Sequence, residues 1–167
     1  TWTLPLPKRA PTSWVMPENT ATPEVFAGQP CVRLRLDDNH HLLVALHGGH
    51  VLSWVASGAE QLYLSPRSLL DGRSAIRGGV PVCFPQFNER GPLPKHGFAR
   101  NQPWVAGDAT VQDGSVQLAL TLDSNPATLA LWPHAFRLQL TLTLAPGRLA
   151  LDVSVDNTGS APRSFML

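Results

Sequence analysis

The sequence predicts an all-β chain folded as a large antiparallel sandwich. Apolar and polar residues alternate with period two over long stretches, turn dipeptides separate them, and helical periodicity is nearly absent. The chain has 167 residues, of which 43% are hydrophobic and 15% charged, with 13 Gly and 16 Pro. That length suits one domain and buries a sizeable core, and the turn-rich composition stays short of a low-complexity or disordered chain.

Residues 1–30 are Pro-rich and aperiodic, and read as a leader or an arm lying over the domain. From Cys31 the alternation begins, with Val32, Leu34 and Leu36 set against Arg33 and Arg35. Val116, Leu118, Leu120 and Leu122 repeat the pattern, as do Phe136 to Leu144 and then Leu149 to Val155. Such alternation places apolar side chains on one face of a half-buried strand. Ser57-Gly58, Asp113-Gly114 and Ala145-Pro146-Gly147 supply the turns between them. Two short helical signals remain. Asn125 to Trp132 has an N-cap followed by Pro126 at the first helical position, and Ser65 to Leu70 has room for one turn. The ladder is still running at Val155, and Ser164 to Leu167 read as the start of another strand.

Charge and composition exclude several classes of function. The net charge is +1, lysine occurs only at Lys8 and Lys95, and the arginines are scattered, so no cation cluster suits a nucleic acid backbone. The longest aliphatic run, Leu42 to Leu46, is too short to span a bilayer, and the N-terminal segment lacks the pattern of a signal peptide. Cys31 and Cys83 are isolated thiols, read as reduced cysteines of a cytoplasmic protein. His40, His41, His47 and His50 lack the spacing and companions of a metal site and read as a polar hairpin edge. Trp54 and Trp104 read as core or pocket wall, and Cys83 as a buried small hydrophobe. No Walker loop, dinucleotide fingerprint or nucleophile elbow is present in the sequence.

One region departs from the ladders. It holds Arg77-Gly-Gly-Val-Pro-Val-Cys-Phe-Pro-Gln-Phe87 and then Leu93-Pro-Lys-His-Gly-Phe-Ala-Arg-Asn-Gln-Pro-Trp104. Strand stability does not call for this mixture of prolines, paired glycines and polar groups. Gly78 and Gly79 allow a sharp turn or a close ligand approach. Arg77 and Arg100 offer planar forks that suit a phosphate, and Lys95 offers a point charge. The pair of blocks reads as an anion-binding loop pair with His96 placed among cations; a surface arginine at a Gly turn and a turn histidine are the plainer readings.

These two blocks closely resemble the hexose-6-phosphate mutarotases (glucose-6-phosphate 1-epimerases) of the aldose 1-epimerase, galactose mutarotase-like superfamily. Leu52-Ser53-Trp54, Gln61 to Ser65, Leu70-Asp71-Gly72 and Trp132-Pro133 extend the resemblance in order. It covers residues 31–167, which are then the N-terminal part of a single β-supersandwich domain, incomplete in this chain. The resemblance implies an isomerase that interconverts the α and β anomers of a hexose 6-phosphate, glucose 6-phosphate foremost, without metal or cofactor. A histidine protonates the ring oxygen while a glutamate removes the C1 hydroxyl proton; each such group contributes about 10²–10⁴-fold. The substrate phosphate carries about −1.5 to −2 charges and anchors the sugar.

By motif, Arg77 and Arg100 match the family's phosphate-binding arginines. Lys95 falls where some members have a substrate-contacting glutamine, and His96 aligns with a pocket histidine expected to contact the sugar. No catalytic residue is expected within this chain: the acid histidine and base glutamate are expected beyond Leu167, and His96, Glu60 and Glu89 do not replace them. The chain alone is therefore expected to be inactive. The alternative is a non-catalytic sugar-phosphate-binding module, and a further one is an unliganded interaction domain. The complete protein is expected to be a monomer, whereas this chain, with a strand edge and apolar face unpaired, is expected to associate.

Overall fold

The computed structural model describes residues 20–167. A first antiparallel sheet is a simple meander of β1 (Ala21–Phe26), β2 (Gln29–Asp37), β3 (His40–Ala45), β4 (His50–Ala56) and β5 (Ala59–Glu60). The second contains β6 (Val105–Ala106), β7 (Thr110–Gln112), β8 (Ser115–Asp123), β9 (Phe136–Ala145) and β10 (Arg148–Asn157). Its order is β10-β9-β8-β6, with β7 also pairing to β8. β2 and β3 pack across β8 and β9, so the sheets form an antiparallel sandwich.

The alternation explains the core. Leu34, Leu42 and Val44 of the first sheet meet Leu118, Leu120, Leu138, Leu140 and Leu142 of the second. The turns form as their residues require: Asp113-Gly114 and Ser57-Gly58 have both φ angles positive, and Gly147 follows Pro146 in the β9–β10 turn. β3 is buried on both faces, because a second cluster of Cys31, Leu43, Ala45, Leu52 and Ile76 covers its other side. That is why Leu42 to Leu46 reads as an unbroken run instead of an alternating one. Ile76 comes from the loop that carries Arg77, so the outer face of the sheet anchors the candidate site.

The 1–30 arm departs from the structure at its C-terminal end. β1 lies inside that stretch and pairs with β2 from Ala21↔Leu34 to Phe26↔Gln29. Pro23 masks the strand in the sequence, and β1 tolerates it because it is the sheet edge. The turn is hidden as well: Ala27 takes a left-handed φ of 48° before Gly28, where Asn or Asp is the usual signal. The rest of the arm, residues 1–19, lies outside the described residues.

The helix α1 (Pro126–Leu131) forms as its cap demands: Asn125 Oδ1 accepts from Ala127 and Thr128 N–H at 3.0 and 3.1 Å, and Thr128 Oγ1 accepts from Asn125 N–H. Ser65 to Leu70 makes a turn closed by Ser68 N–H on the Ser65 carbonyl, and does not become helical. Among the described residues no helix is long and apolar enough to cross a membrane.

Candidate functional site

Two loops build the site. The first, residues 64–80, returns from β5 and lies against the start of β4. Val51 and Val80 exchange backbone hydrogen bonds of 3.1 and 2.9 Å, Gly79 N–H reaches the Tyr63 carbonyl at 2.8 Å, and Ser65 N–H reaches that of Arg77 at 3.0 Å. This close stacking leaves no room for side chains at the paired glycines. Both have positive φ, and a Cβ at Gly78 would stand 2.3 Å from Tyr63 O, one at Gly79 2.1 Å from Val51 O. Asp71 caps the same loop, accepting from Ser74 N–H at 2.7 Å, Arg73 N–H at 2.9 Å and the Ser74 hydroxyl at 2.9 Å. Those bonds draw its pKa down to about 2. Ile76 is buried in the second core cluster, and Arg77, the next residue, is exposed.

The second loop, residues 84–104, hangs from Phe84, which is fully buried against Phe98, Trp132 and Phe136. The Phe84 carbonyl accepts from Phe98 and Ala99 N–H. Gln86, also buried, stitches the loop by donating to the Asn88 and Leu93 carbonyls and accepting from Leu93 N–H. Trp104 belongs to the core, and its indole N–H donates to the Ala99 carbonyl at 3.0 Å. Cys83, read as a buried small hydrophobe, is partly buried.

The loops bring Arg77, Lys95, His96 and Arg100 to one cleft of about 720 Å³. Arg67 and Ser74 also line it; among the described residues no carboxylate does, although the Glu89 charge reaches His96. Arg67 was not apparent from the sequence, because a lone arginine after Ser65-Pro66 carries no pattern; only the turn of the first loop brings it round. Arg100 donates to the Lys95 carbonyl at 2.7 Å, while its buried Nε has no partner. Four cationic side chains, Arg67, Arg77, Lys95 and Arg100, gathered in one cleft are an arrangement an anion completes.

His96 sits at a left-handed φ of 66°, with its Nδ1 accepting from Asn88 N–H at 3.1 Å. That leaves Nε2 as the ring nitrogen open to a ligand. Partial desolvation, then the charges of Arg100 and Lys95, lower its pKa and favour the neutral ring. Glu60 stands apart from the cleft. Burial alone would raise its pKa, but hydrogen bonds from the Ser53 hydroxyl and the Leu62, Trp54 and Gln61 N–H groups outweigh this and lower it. With its oxygens committed to holding the β4–β5 hairpin, it is no free base.

The four histidines do not share one environment. His40 does lie at the hairpin edge, bonded to Asp37 at 2.9 Å. His47 and His50 are buried instead, because the first clamp loop folds over them. Among the described residues no group of His, Cys, Asp and Glu could hold a metal ion.

The pattern of the aldose 1-epimerase family matches residues 30–167, a span that includes both loops. This chain belongs to the aldose 1-epimerase family. Among the curated relatives of that family, a Cenchrus ciliaris protein named "Putative glucose-6-phosphate 1-epimerase" is 37% identical over 129 residues, 73% of this chain and 39% of its own length. A Salmonella typhimurium protein of the same name is 45% identical over 98 residues, 56% of this chain and 33% of its own. The chain thus spans well under half the length of these relatives.

Solved structures agree on the fold. The crystal structure of a "putative mutarotase" from Salmonella typhimurium superposes with a TM-score of 0.73 at 31% identity, covering 82% of this chain and 47% of that one. A Synechocystis protein gives 0.67 at 28% identity over 90% of this chain and 53% of its own. The sandwich described above is therefore part of the galactose mutarotase-like fold of these solved neighbours.

Proposed function

We propose that this chain is the N-terminal, phosphate-binding part of a cytoplasmic hexose-6-phosphate mutarotase, with glucose 6-phosphate as the substrate. The observation that carries the reading is the cleft, where Arg67, Arg77, Lys95 and Arg100 converge and, among the described residues, no carboxylate joins the lining. A phosphate dianion seated there is met by the guanidinium groups and the ammonium that line the cleft, and His96 lines the same cleft for a sugar hydroxyl. The names of the relatives support the choice of sugar phosphate.

In the proposed reaction an acid gives a proton to the ring oxygen while a base takes the proton of the C1 hydroxyl. The C1–O5 bond breaks, the aldehyde rotates, and the ring closes on its other face with both protons returned. The acid and base come from residues outside this sequence. Glu60 is committed to the β4–β5 hairpin and His96 serves as a sugar contact, so this chain binds and orients the phosphate end.

Calorimetry tests the reading first. Glucose 6-phosphate is expected to bind and glucose to bind far more weakly, and Arg77→Ala is expected to remove about 1.5–3 kcal/mol, the worth of a charge-assisted hydrogen bond. Equal affinity for the two sugars, or an Arg77→Ala variant that binds like the parent, overturns it. Magnetisation transfer between the anomers of glucose 6-phosphate then addresses catalysis. This chain alone is expected to leave the exchange rate unchanged, and the complete gene product to raise it. A complete product that binds without accelerating exchange establishes the second reading, a sugar-phosphate-binding module, which the carboxylate-free cleft also fits.

A further inference from the structure

The segment His47-Gly48-Gly49-His50 has no part in the cleft lining, yet it touches both loops that form it. On one side it holds the first loop. His50 is 1% exposed and its Nε2 lies 2.7 Å from the Gly78 carbonyl, one residue from Arg77. His47 is 8% exposed, with Nε2 3.3 Å from the Ser74 carbonyl. A carbonyl only accepts, so each ring donates through Nε2–H. Burial keeps the pKa of His50 below the ordinary histidine value, which fits a neutral ring in that tautomer.

On the other side the segment holds the second loop. Gly48 N–H donates to the Gln102 carbonyl at 2.8 Å, and Trp104 N–H donates to the Leu46 carbonyl at 2.8 Å. Gly48 has a φ of 80°, and a Cβ there would stand 2.5 Å from the Arg100 carbonyl. A Cβ on Gly49 would meet the Trp104 ring at 3.0 Å. Arg77 and Arg100 approach the cleft from different loops, and these four residues are the footing the loops share.

The geometry points to His50 and Gly48 as positioning residues of the anion site, His50 fixing Arg77 through the Gly78 carbonyl and Gly48 admitting the Arg100 backbone. This rests on the reading of the cleft as a phosphate site. Two guanidinium forks grip one phosphate only at a defined separation, and a misplacement of about 1 Å costs up to 10²-fold where geometry is critical. The alternative use of buried histidines, metal ligation, lacks its companions, since among the described residues no cluster of three or more His, Cys, Asp or Glu side chains includes these rings.

The test titrates inorganic phosphate and glucose 6-phosphate into the chain and into His50→Leu, His50→Gln and Gly48→Ala, with thermal midpoints measured in parallel. His50→Leu keeps bulk and removes the donor, and is expected to weaken phosphate binding about tenfold through misplacement of Arg77. His50→Gln restores an N–H at a similar reach and is expected to recover most of that affinity. Gly48→Ala is expected to weaken binding comparably by displacing Arg100. A measurement on the parent chain needs no variant: phosphate saturation is expected to shift the ring nitrogen resonances of His50 and leave those of His40 unmoved. Variants that bind like the parent, failure of Gln to rescue, or a His50 ring silent to phosphate each overturn the inference alone. A parent chain that binds neither ligand overturns the phosphate reading and this inference with it.

Discussion

β8 and β9 pair from Val116↔Leu144 to Asp123↔Arg137, and their inward side chains are all apolar and buried. The clamp loops have no such redundancy. Their shape depends on single hydrogen bonds, on Asp71, and on glycines whose missing Cβ gives a carbonyl its place. In the sheets each residue's position is specified many times over, by its ladder bonds and by its neighbours on both sides. In the loops a handful of hydrogen bonds, such as those at Arg77 N–H, Arg77 O and Gly78 O, hold the backbone that carries an arginine. Damage to the sandwich should therefore register in stability, and damage to the loops in ligand affinity.

The largest effect is expected in β9. Leu142 is wholly buried, and Leu142→Ala is expected to cost about 2–5 kcal/mol in denaturant unfolding. Its cross-strand partner Leu151, on β10, has the same chemistry but is only half-buried at the sheet edge, so Leu151→Ala is expected to cost about 1 kcal/mol. Equal costs would mean that the face of β10 is covered in solution, for instance by a second copy of the chain. Sedimentation over a range of concentrations checks that point. The long edge of β10, unpaired among the described residues, is expected to cause association, and Val153→Lys is expected to reduce it.

Gly79→Ala probes the other side of the comparison. Its Cβ would stand 2.1 Å from Val51 O on a backbone with φ of 62°, so the loop must move away from β4. Phosphate affinity is expected to fall at least tenfold, by about the logic of a misplaced fork, while the midpoint falls less than for Leu142→Ala. A variant that loses stability as Leu142→Ala does, yet keeps its affinity, would break the division between sheet and loop.

The same division governs what was legible in the sequence. The ladders at 32–36, 116–122, 136–144 and 149–155 announced themselves, because a strand with one buried face must alternate. The α1 cap was equally plain, since Asn125-Pro126 is a local signal for a local structure. β1 was missed: Pro23 interrupts its pattern and Ala27 stands where a turn residue is expected. At the site, Arg77, Lys95, His96 and Arg100 stood out because they cluster in two unusual blocks, and the structure gathers all four at one cleft. Arg67, His47 and His50 were misjudged or overlooked because their positions depend on contacts between segments distant in sequence. His50 meets Gly78 only once the loop has folded back over β4, a fact no spacing of histidines encodes.

The smallest effect expected is also the most specific to the loop. Asp71 is exposed, and its pKa is lowered from 3.8 to about 2 by the Ser74 and Arg73 N–H groups and the Ser74 hydroxyl. A depressed carboxylate contributes its stabilisation above the unfolded pKa and loses it as pH falls through the folded value. The contribution of Asp71 is thus full at neutral pH and fades between 3.8 and about 2. Asp71→Asn keeps an acceptor oxygen but cannot titrate, so the difference in thermal midpoint between parent and variant isolates this one group from Glu24, Asp37, Glu60 and Asp123, which are also lowered. That difference is expected to be small and positive near neutrality and to vanish by the low end of the window. A difference that stays constant with pH would show that the Asp71 charge does not hold the loop, leaving the paired glycines and the His50 contact as what fixes Arg77.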